Sequence, residues 1–273
     1  MQSNMITILG ASGFIGSHLA DKLGQLHFDV HAIRRGEPIP QRNLGDVIYC
    51  IGVTADFRSR TFATVESHVC ALLDVARTCN FESLLYLSST RLYAGNDSTA
   101  EEQPLRVRPH NPDDLYNISK AMGESIALNC GRPARVARIA NVYGPDFTSA
   151  NFLPSILKQA ASGATIVLQT APESAKDYIS VADVVDGLIQ IATKGQQQIY
   201  NLASGVNVSH REIAETLQRS TGCAVEFATA APEIKSPPIN IDRMRSEFNF
   251  AAASILDDLP QLVQLYRANR SHT

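Results

Sequence analysis

The amino-acid sequence predicts an α/β protein: a doubly wound parallel sheet followed by a smaller α+β lobe. Three observations predict it. Short apolar runs at 5–9, 28–33, 46–51, 84–87 and 134–139 are separated by turns and by stretches of helical spacing, the order that builds parallel sheets. The first run passes through Gly10-Ala11-Ser12-Gly13-Phe14-Ile15-Gly16 into an amphipathic helix. After Pro145 the strands become sparse, so the chain is expected to divide into a sheet domain at 1–145 and a lobe at 146–273.

Bulk properties set outer bounds. A chain of 273 residues can bury one large core, or one core and a smaller lobe. With 44% hydrophobic and 19% charged residues and a net charge of -3, it reads as an ordinary globular protein with a small-molecule partner, not a nucleic-acid-binding arm. Residues 1–10 lack the basic start and apolar core of a signal peptide and no run reaches membrane-spanning length, so a cytoplasmic location is expected. Cys50, Cys70, Cys79, Cys130 and Cys223 form no C-x-x-C pair and read as buried, reduced thiols. The histidines never fall at ligand spacing, and no metal is assigned.

The glycine run carries the first chemistry. A strand that stops at a tight turn and feeds a helix leaves unpaired N–H groups and the positive dipole end free to hold a diphosphate. Gly10 serves the turn, Gly13 the approach of phosphates, and Gly16 the packing of helix on strand. An ordinary strand-to-helix turn is the alternative. The next strand, 28–33, ends at Arg34-Arg35-Gly36, where a dinucleotide fold meets the adenosine ribose. Two arginines without an acid favour a 2'-phosphate, hence NADP(H) over NAD(H); solvated loop charges are the alternative.

Between Gly36 and Gly45 the chain is polar, with Pro38 and Pro40, before the strand 46–51 closed by Gly52. There is no room here for a further helix and strand, so one edge strand of a full doubly wound half is expected to be missing and the adenine pocket open. A helix is expected over 64–80, then a strand 84–87 delivering Ser88-Ser89-Thr90 at its carboxyl end, the side of a parallel sheet where ligands bind. Alone, such a cluster is more often a cap. The loop 101–112 reads as a cover over the site, and Asp113 or Asp114 as the cap of a helix 115–129 carrying Tyr116-Asn117-Ile118-Ser119-Lys120. Tyr116 and Lys120 share a helical face, and a nearby ammonium lowers a phenol's pKa; a solvated surface pair is the alternative. Beyond the strand 134–139, helices are expected at 152–162, from about 181, at 209–220 and 255–270, with strands at 165–168, 198–202 and 224–227.

These pieces together resemble the extended short-chain dehydrogenase/reductase family, the NAD(P)-dependent nucleotide-sugar epimerases, dehydratases and ketoreductases with a Rossmann sheet. The resemblance rests on the glycine run 10–16, on Leu87-Ser88-Ser89-Thr90-Arg91-Leu92-Tyr93, on Tyr116 to Lys120, on Arg138-Ile139-Ala140-Asn141-Val142-Tyr143-Gly144-Pro145, and on Asp177-Tyr178-Ile179-Ser180-Val181-Ala182-Asp183. It implies catalytic roles for Ser89, Tyr116 and Lys120, with Tyr116 as acid/base and Lys120 gripping the nicotinamide ribose. It implies cofactor contacts from Gly10, Ser12, Gly13, Phe14, Ile15, Gly16, Arg34, Arg35 and Gly52, and substrate contacts from Thr90, Arg91, Asn141 and Lys176. It also implies a homodimer joined through the helices 64–80 and 115–129. Thr90 and Arg91 stand where the sugar dehydratases carry an Asp-Glu pair, which disfavours dehydration; Lys176 replaces the usual arginine before Asp177, and His68 a common asparagine. The implied function is a nucleotide-sugar epimerase or ketoreductase. A non-catalytic dinucleotide sensor or scaffold, or a reductase of a non-sugar carbonyl, is the alternative.

Overall fold

The computed structural model describes residues 5–270; the reading of residues 1–4 lies outside them. Strands β1 (Met5–Leu9), β3 (Asp46–Tyr49) and β4 (Ser83–Ser89) are largely apolar and buried because both faces of the sheet are covered, while β2 (Asp29–Ile33) is a more exposed edge strand and β5 (Ala134–Ile139) carries two arginines. Together with β9 (Ile199–Leu202) they form a parallel sheet in the order β2-β1-β3-β4-β5-β9. The strand order reverses between β1 and β3, which opens a crevice at their carboxyl ends. Helix α1 (Phe14–Gln25) and helix α6 (Val181–Lys194) cover one face through Leu19, Leu23, Val184, Leu188 and Ile191. The other face carries α3 (Ala71–Thr78) and α4 (Asp114–Leu128), packed through Leu72, Val75 and Ala127 against Tyr49 and Tyr86.

As expected, the segment from Arg34 to Gly45 adds neither helix nor strand to the sheet, and β2 stays at its edge. Helix α2 (Thr61–Val65) starts three residues earlier than the apolar periodicity indicates and reaches α3 through a π-helical segment, Glu66–Cys70. Asp113 stands at the N-cap of α4, but its side chain makes no capping hydrogen bond. Asp113 pairs with Arg58 at 2.5 Å, and Asp114 accepts from the Arg108 guanidinium at 3.2 Å, because arginines on the neighbouring loops supply stronger charged donors.

The lobe gathers α5 (Phe152–Ser162), α7 (His210–Thr221) and α9 (Ile255–Arg270) around Leu153, Leu157, Ile213, Leu217, Leu259 and Val263. Two small sheets edge it, β10 (Asn207–Ser209) with β8 (Ala175–Ser180) and β6 (Asn141–Tyr143), and β11 (Val225–Phe227) with β7 (Ile166–Leu168). A seven-residue helix, α8 (Asp242–Phe248), buries Met244 in the main core. In space the two halves interleave. Residues 181–202 return to the main layers as α6 and β9, since an all-parallel sheet needs a helix on both faces and the first half supplies only α1 to one of them. The second half therefore extends the sheet by a strand and a covering helix.

The five cysteines are all free, but Cys70 is exposed on the π-helical segment, so only some fit the expected buried thiols. No helix among the described residues is long and apolar enough to cross a membrane.

Candidate active site

One cavity of about 540 Å³ opens at the carboxyl ends of β1, β3, β4 and β5, between the sheet and the lobe. Its floor is the glycine turn. Gly10 has φ +92, and its N–H and that of Ala11 both donate to the Ile33 carbonyl at 3.0 Å, which ties the turn to the end of β2. A Cβ on Gly16 would lie 2.4 Å from the Gly10 carbonyl oxygen, so only glycine lets α1 pack this close. Gly13 caps α1 without a side-chain hydrogen bond, and the first turn holds no acid. The helix start is thus uncapped and carries its full positive dipole end toward the cavity, a fit to a dinucleotide diphosphate.

Gly13, Phe14, Ile15, Gly16 and Gly52 line the cavity, as do Ser89, Thr90, Arg91, Tyr116, Lys120, Asn141 and Lys176. Gly10, Ser12, Arg34 and Arg35 do not; Gly10 and Ser12 lie in the turn after β1 and the arginines follow β2, where the Arg35 N–H donates to Ser12 Oγ at 3.4 Å. One feature of that corner is absent from the sequence reading. Glu37 folds back to accept the Arg34 N–H at 2.7 Å, so an acid does stand beside the two arginines. The loop 101–112 contributes nothing to the cavity: Glu101 is buried and accepts the Asn201 N–H at 3.2 Å, anchoring the loop to β9 instead.

Ser89 ends β4, and its Oγ accepts the Arg91 N–H at 3.2 Å, so the strand's last side chain caps the short 3-10 turn that follows. Tyr116 lies in the first turn of α4 and is 5% exposed. Burial raises the pKa of its phenol; the Ser89 hydroxyl hydrogen-bonded to it and the Arg91 guanidinium oppose that rise. The Arg91 guanidinium carbon stands 5.2 Å from the centroid of the Tyr116 ring. Lys120 is turned to the strand, donating from Nζ to the Leu87 carbonyl at 2.8 Å, and burial lowers its pKa to about 7 against the pull of Glu124 and Cys50.

His68, on the π-helical segment, was visible in the sequence only as a replacement, and its contacts are tertiary. Its Nε2 accepts the Val53 N–H at 3.2 Å, which leaves the proton on Nδ1 to donate to Ser119 Oγ at 2.9 Å. Ser119 in turn donates to the Tyr116 carbonyl at 2.9 Å, and the two rings meet edge to face at 5.2 Å. Burial and the Lys120 charge lower the imidazole's pKa to about 3, so it is neutral and positions Tyr116 without titrating. Its π turn is of a kind that recurs at functional sites.

On the lobe side, Asn141 donates to the Asp177 carbonyl at 2.8 Å, while the Asp177 carboxylate receives Ser204 and Gly205 N–H groups at 2.9 and 2.7 Å. Burial lifts its pKa to about 6 against those donors. Asp177 is thus a brace for the turn 204–206, and its neighbour Lys176 reaches the cavity. Cys50, Thr54, Ser88 and Tyr178 also line it; Ser88 and Tyr178 fall within motifs the sequence offered, whereas Cys50 and Thr54 follow β3 and no motif marked them.

The NAD dependent epimerase/dehydratase family model matches residues 6–64 and 43–203. A dTDP-glucose 4,6-dehydratase of Streptomyces griseus is 27% identical over 73% of this chain, an alignment that spans 63% of that relative's length. A dTDP-4-dehydro-6-deoxy-D-allose reductase of a Streptomyces species is 23% identical over 97% of both chains. MoeE5, solved in complex with UDP-glucose and NAD, has the same fold, with a TM-score of 0.81 at 21% identity over 98% of this chain and 100% of its own. With its matched segments running from β1 through β9, the chain belongs to the NAD-dependent epimerase/dehydratase family.

Proposed function

We propose that the protein is an NAD(P)-dependent epimerase or ketoreductase of nucleotide sugars that works at a sugar carbon with Tyr116 as acid and base. The observation that carries this reading is the sharing of one cavity by the glycine turn, by Ser89, Tyr116 and Lys120, and by Asn141 and Lys176 of the lobe. When bound, the nicotinamide supplies the acceptor or donor of hydride. Tyr116 exchanges a proton with the sugar oxygen; burial raises its pKa, and the Ser89 hydroxyl and the Arg91 guanidinium oppose that rise. Ser89 orients that oxygen, with Thr90 beside it. Lys120, pinned by the Leu87 carbonyl, presents a fixed donor for the ribose. Asn141 and Lys176 hold the diphosphate from the lobe. Thr90 and Arg91 supply no carboxylate at the reacting carbon, so elimination of water lacks its acid and base there.

Arg34 and Arg35 favour NADP(H), and Glu37 works against them. Mass spectrometry of the cofactor released from fresh protein, with NADPH and NADH titrations, separates the two modes. A retained NAD+ near one per chain marks an epimerase and overturns the NADP(H) preference; an empty protein that takes NADPH marks a reductase. Tyr116→Phe is expected to lower turnover by roughly 10²–10⁴-fold while leaving cofactor binding intact. Full activity in that variant would sink the assignment. The exposed Phe62, Leu73 and Met122 on α2, α3 and α4 support a homodimer joined through these helices, which a monomer in analytical ultracentrifugation at micromolar concentration would exclude.

A further inference from the structure

Among the described residues Arg91 has no hydrogen-bond acceptor for its guanidinium and no ion-pair partner. It is exposed to the cavity, its guanidinium carbon 5.2 Å from the Tyr116 ring centroid and 5.0 Å from that of Phe57. The nearest carboxylates are engaged elsewhere, Asp113 by Arg58 at 2.5 Å and Asp114 by Arg108 at 3.2 Å. Across the cavity Lys176 is equally without an acid among the described residues, and Arg91 lies close enough for its charge to act on it. The one acid in the lining, Asp146, spends its Oδ1 on its own loop, accepting Thr148 and Ser149 N–H groups at 3.3 and 3.1 Å. Two buried hydroxyls in the same walls, of Ser88 and Tyr178, have no partner among the described residues. A cavity with two uncompensated cations and two unsatisfied hydroxyls is built for a polar, multiply anionic ligand.

A diphosphate accounts for one cation. It does not account for Arg91, which stacks on the ring of the proton-transferring tyrosine, where the sugar must sit. Building on the nucleotide-sugar reading above, we propose that Arg91 receives a carboxylate on the sugar next to the reacting carbon, so that the substrate is a nucleotide-activated uronic acid. The planar guanidinium fork matches a carboxylate in a bidentate way that an ammonium cannot. Contact with Phe57 and Tyr116 fixes the fork in advance, which lowers the ordering cost of binding. Lys176, on the lobe beside Asn141, serves the diphosphate, and the two cations divide the ligand's charges between them.

The test uses neutral and uronate sugars that differ only at C6, UDP-glucose against UDP-glucuronic acid and the corresponding dTDP and GDP pairs. Binding to dinucleotide-loaded protein is measured by calorimetry in wild type, Arg91→Gln, Arg91→Lys and Lys176→Gln. In wild type one uronate is expected to bind on the order of tenfold to hundredfold tighter than its neutral partner, as befits a charge-assisted hydrogen-bonded pair. Arg91→Gln erases that preference with little change for the neutral sugar, Arg91→Lys restores part of it, and Lys176→Gln weakens both alike. Equal binding of the two members of every pair by wild type overturns the carboxylate assignment and leaves the nucleotide-sugar reading standing. So does an Arg91→Gln protein that loses both members equally, which would place Arg91 on the diphosphate. If no nucleotide sugar binds at all, the reading of the function itself falls and takes the inference with it.

Discussion

Arg138 and Arg91 are the same side chain in opposite circumstances. Arg138, on β5, is 3% exposed and satisfied on every side: Glu124 accepts from it at 2.9 and 2.7 Å, the Tyr93 hydroxyl at 2.7 Å and the Glu101 carbonyl at 3.1 Å. Tyr93 passes the network on to Asn201 at 2.8 Å, so the ion pair ties α4, β5, β9 and the 3-10 turn together just beneath the cavity. Arg91 hangs from that same turn, faces solvent and meets only aromatic rings. The first arginine is consumed by the fold. The second is held in place by the fold and left open for a ligand.

Substitution separates the two. Arg138→Met strands the Glu124 carboxylate in the interior and is expected to cost about 3–5 kcal/mol in denaturant unfolding, whereas the double change Arg138→Met with Glu124→Leu recovers much of it. A loss below about 1 kcal/mol in the single variant would mean that water reaches Glu124 and the network is not a structural core.

Lys120 lies between these extremes, buried yet pointed at a ligand site, and it sharpens the comparison through pH. In the unfolded chain its ammonium keeps a proton to the ordinary value of 10.5, while in the folded, cofactor-free protein burial lets it go near 7. The unfolded state therefore binds more protons between those values, and this group's contribution to stability rises with pH above 7, by at most about 1.4 kcal/mol per unit. Unfolding titrations of wild type against Lys120→Met between pH 7 and 9 should show that slope in the first and lack it in the second. A 13Cε-lysine resonance titrating near 10 would refute it.

The smallest effect belongs to Arg91. Arg91→Gln should change unfolding free energy by no more than about 0.5 kcal/mol, as for a surface residue outside any network. A larger loss would mean that its stacking on Phe57 and Tyr116 holds the fold, and would erase the contrast with Arg138.

Much of the site was legible before any coordinates. The turn Gly10 to Gly16 announces itself because close packing admits no side chain, while Tyr116 and Lys120, one helical turn apart, stand out only once the family resemblance is added. What spacing could not show was direction. Lys120 shares a face with Tyr116 and bonds to Leu87, while Arg91, on a different element, stands over the Tyr116 ring. Asp113 reads as a cap and does stand at the N-cap, but its carboxylate is taken by Arg58, 55 residues away, a partner no local rule can weigh.

The amino-acid sequence alone determined the glycine turn between β1 and α1 and the missing edge strand, because each depends on contacts within a few residues or on periodicity along one element, whereas Ser89, Tyr116 and Lys120 were singled out by the family resemblance. Only the tertiary structure decided that 181–202 rejoin the main sheet, that His68 braces Tyr116 through Ser119, and which arginine is spent and which is free. Those depend on partners from 14 to more than 60 residues away, as between Arg138 and Glu124 or β5 and β9. Chain pattern carries no information about which of several like charges a folded interior will neutralise.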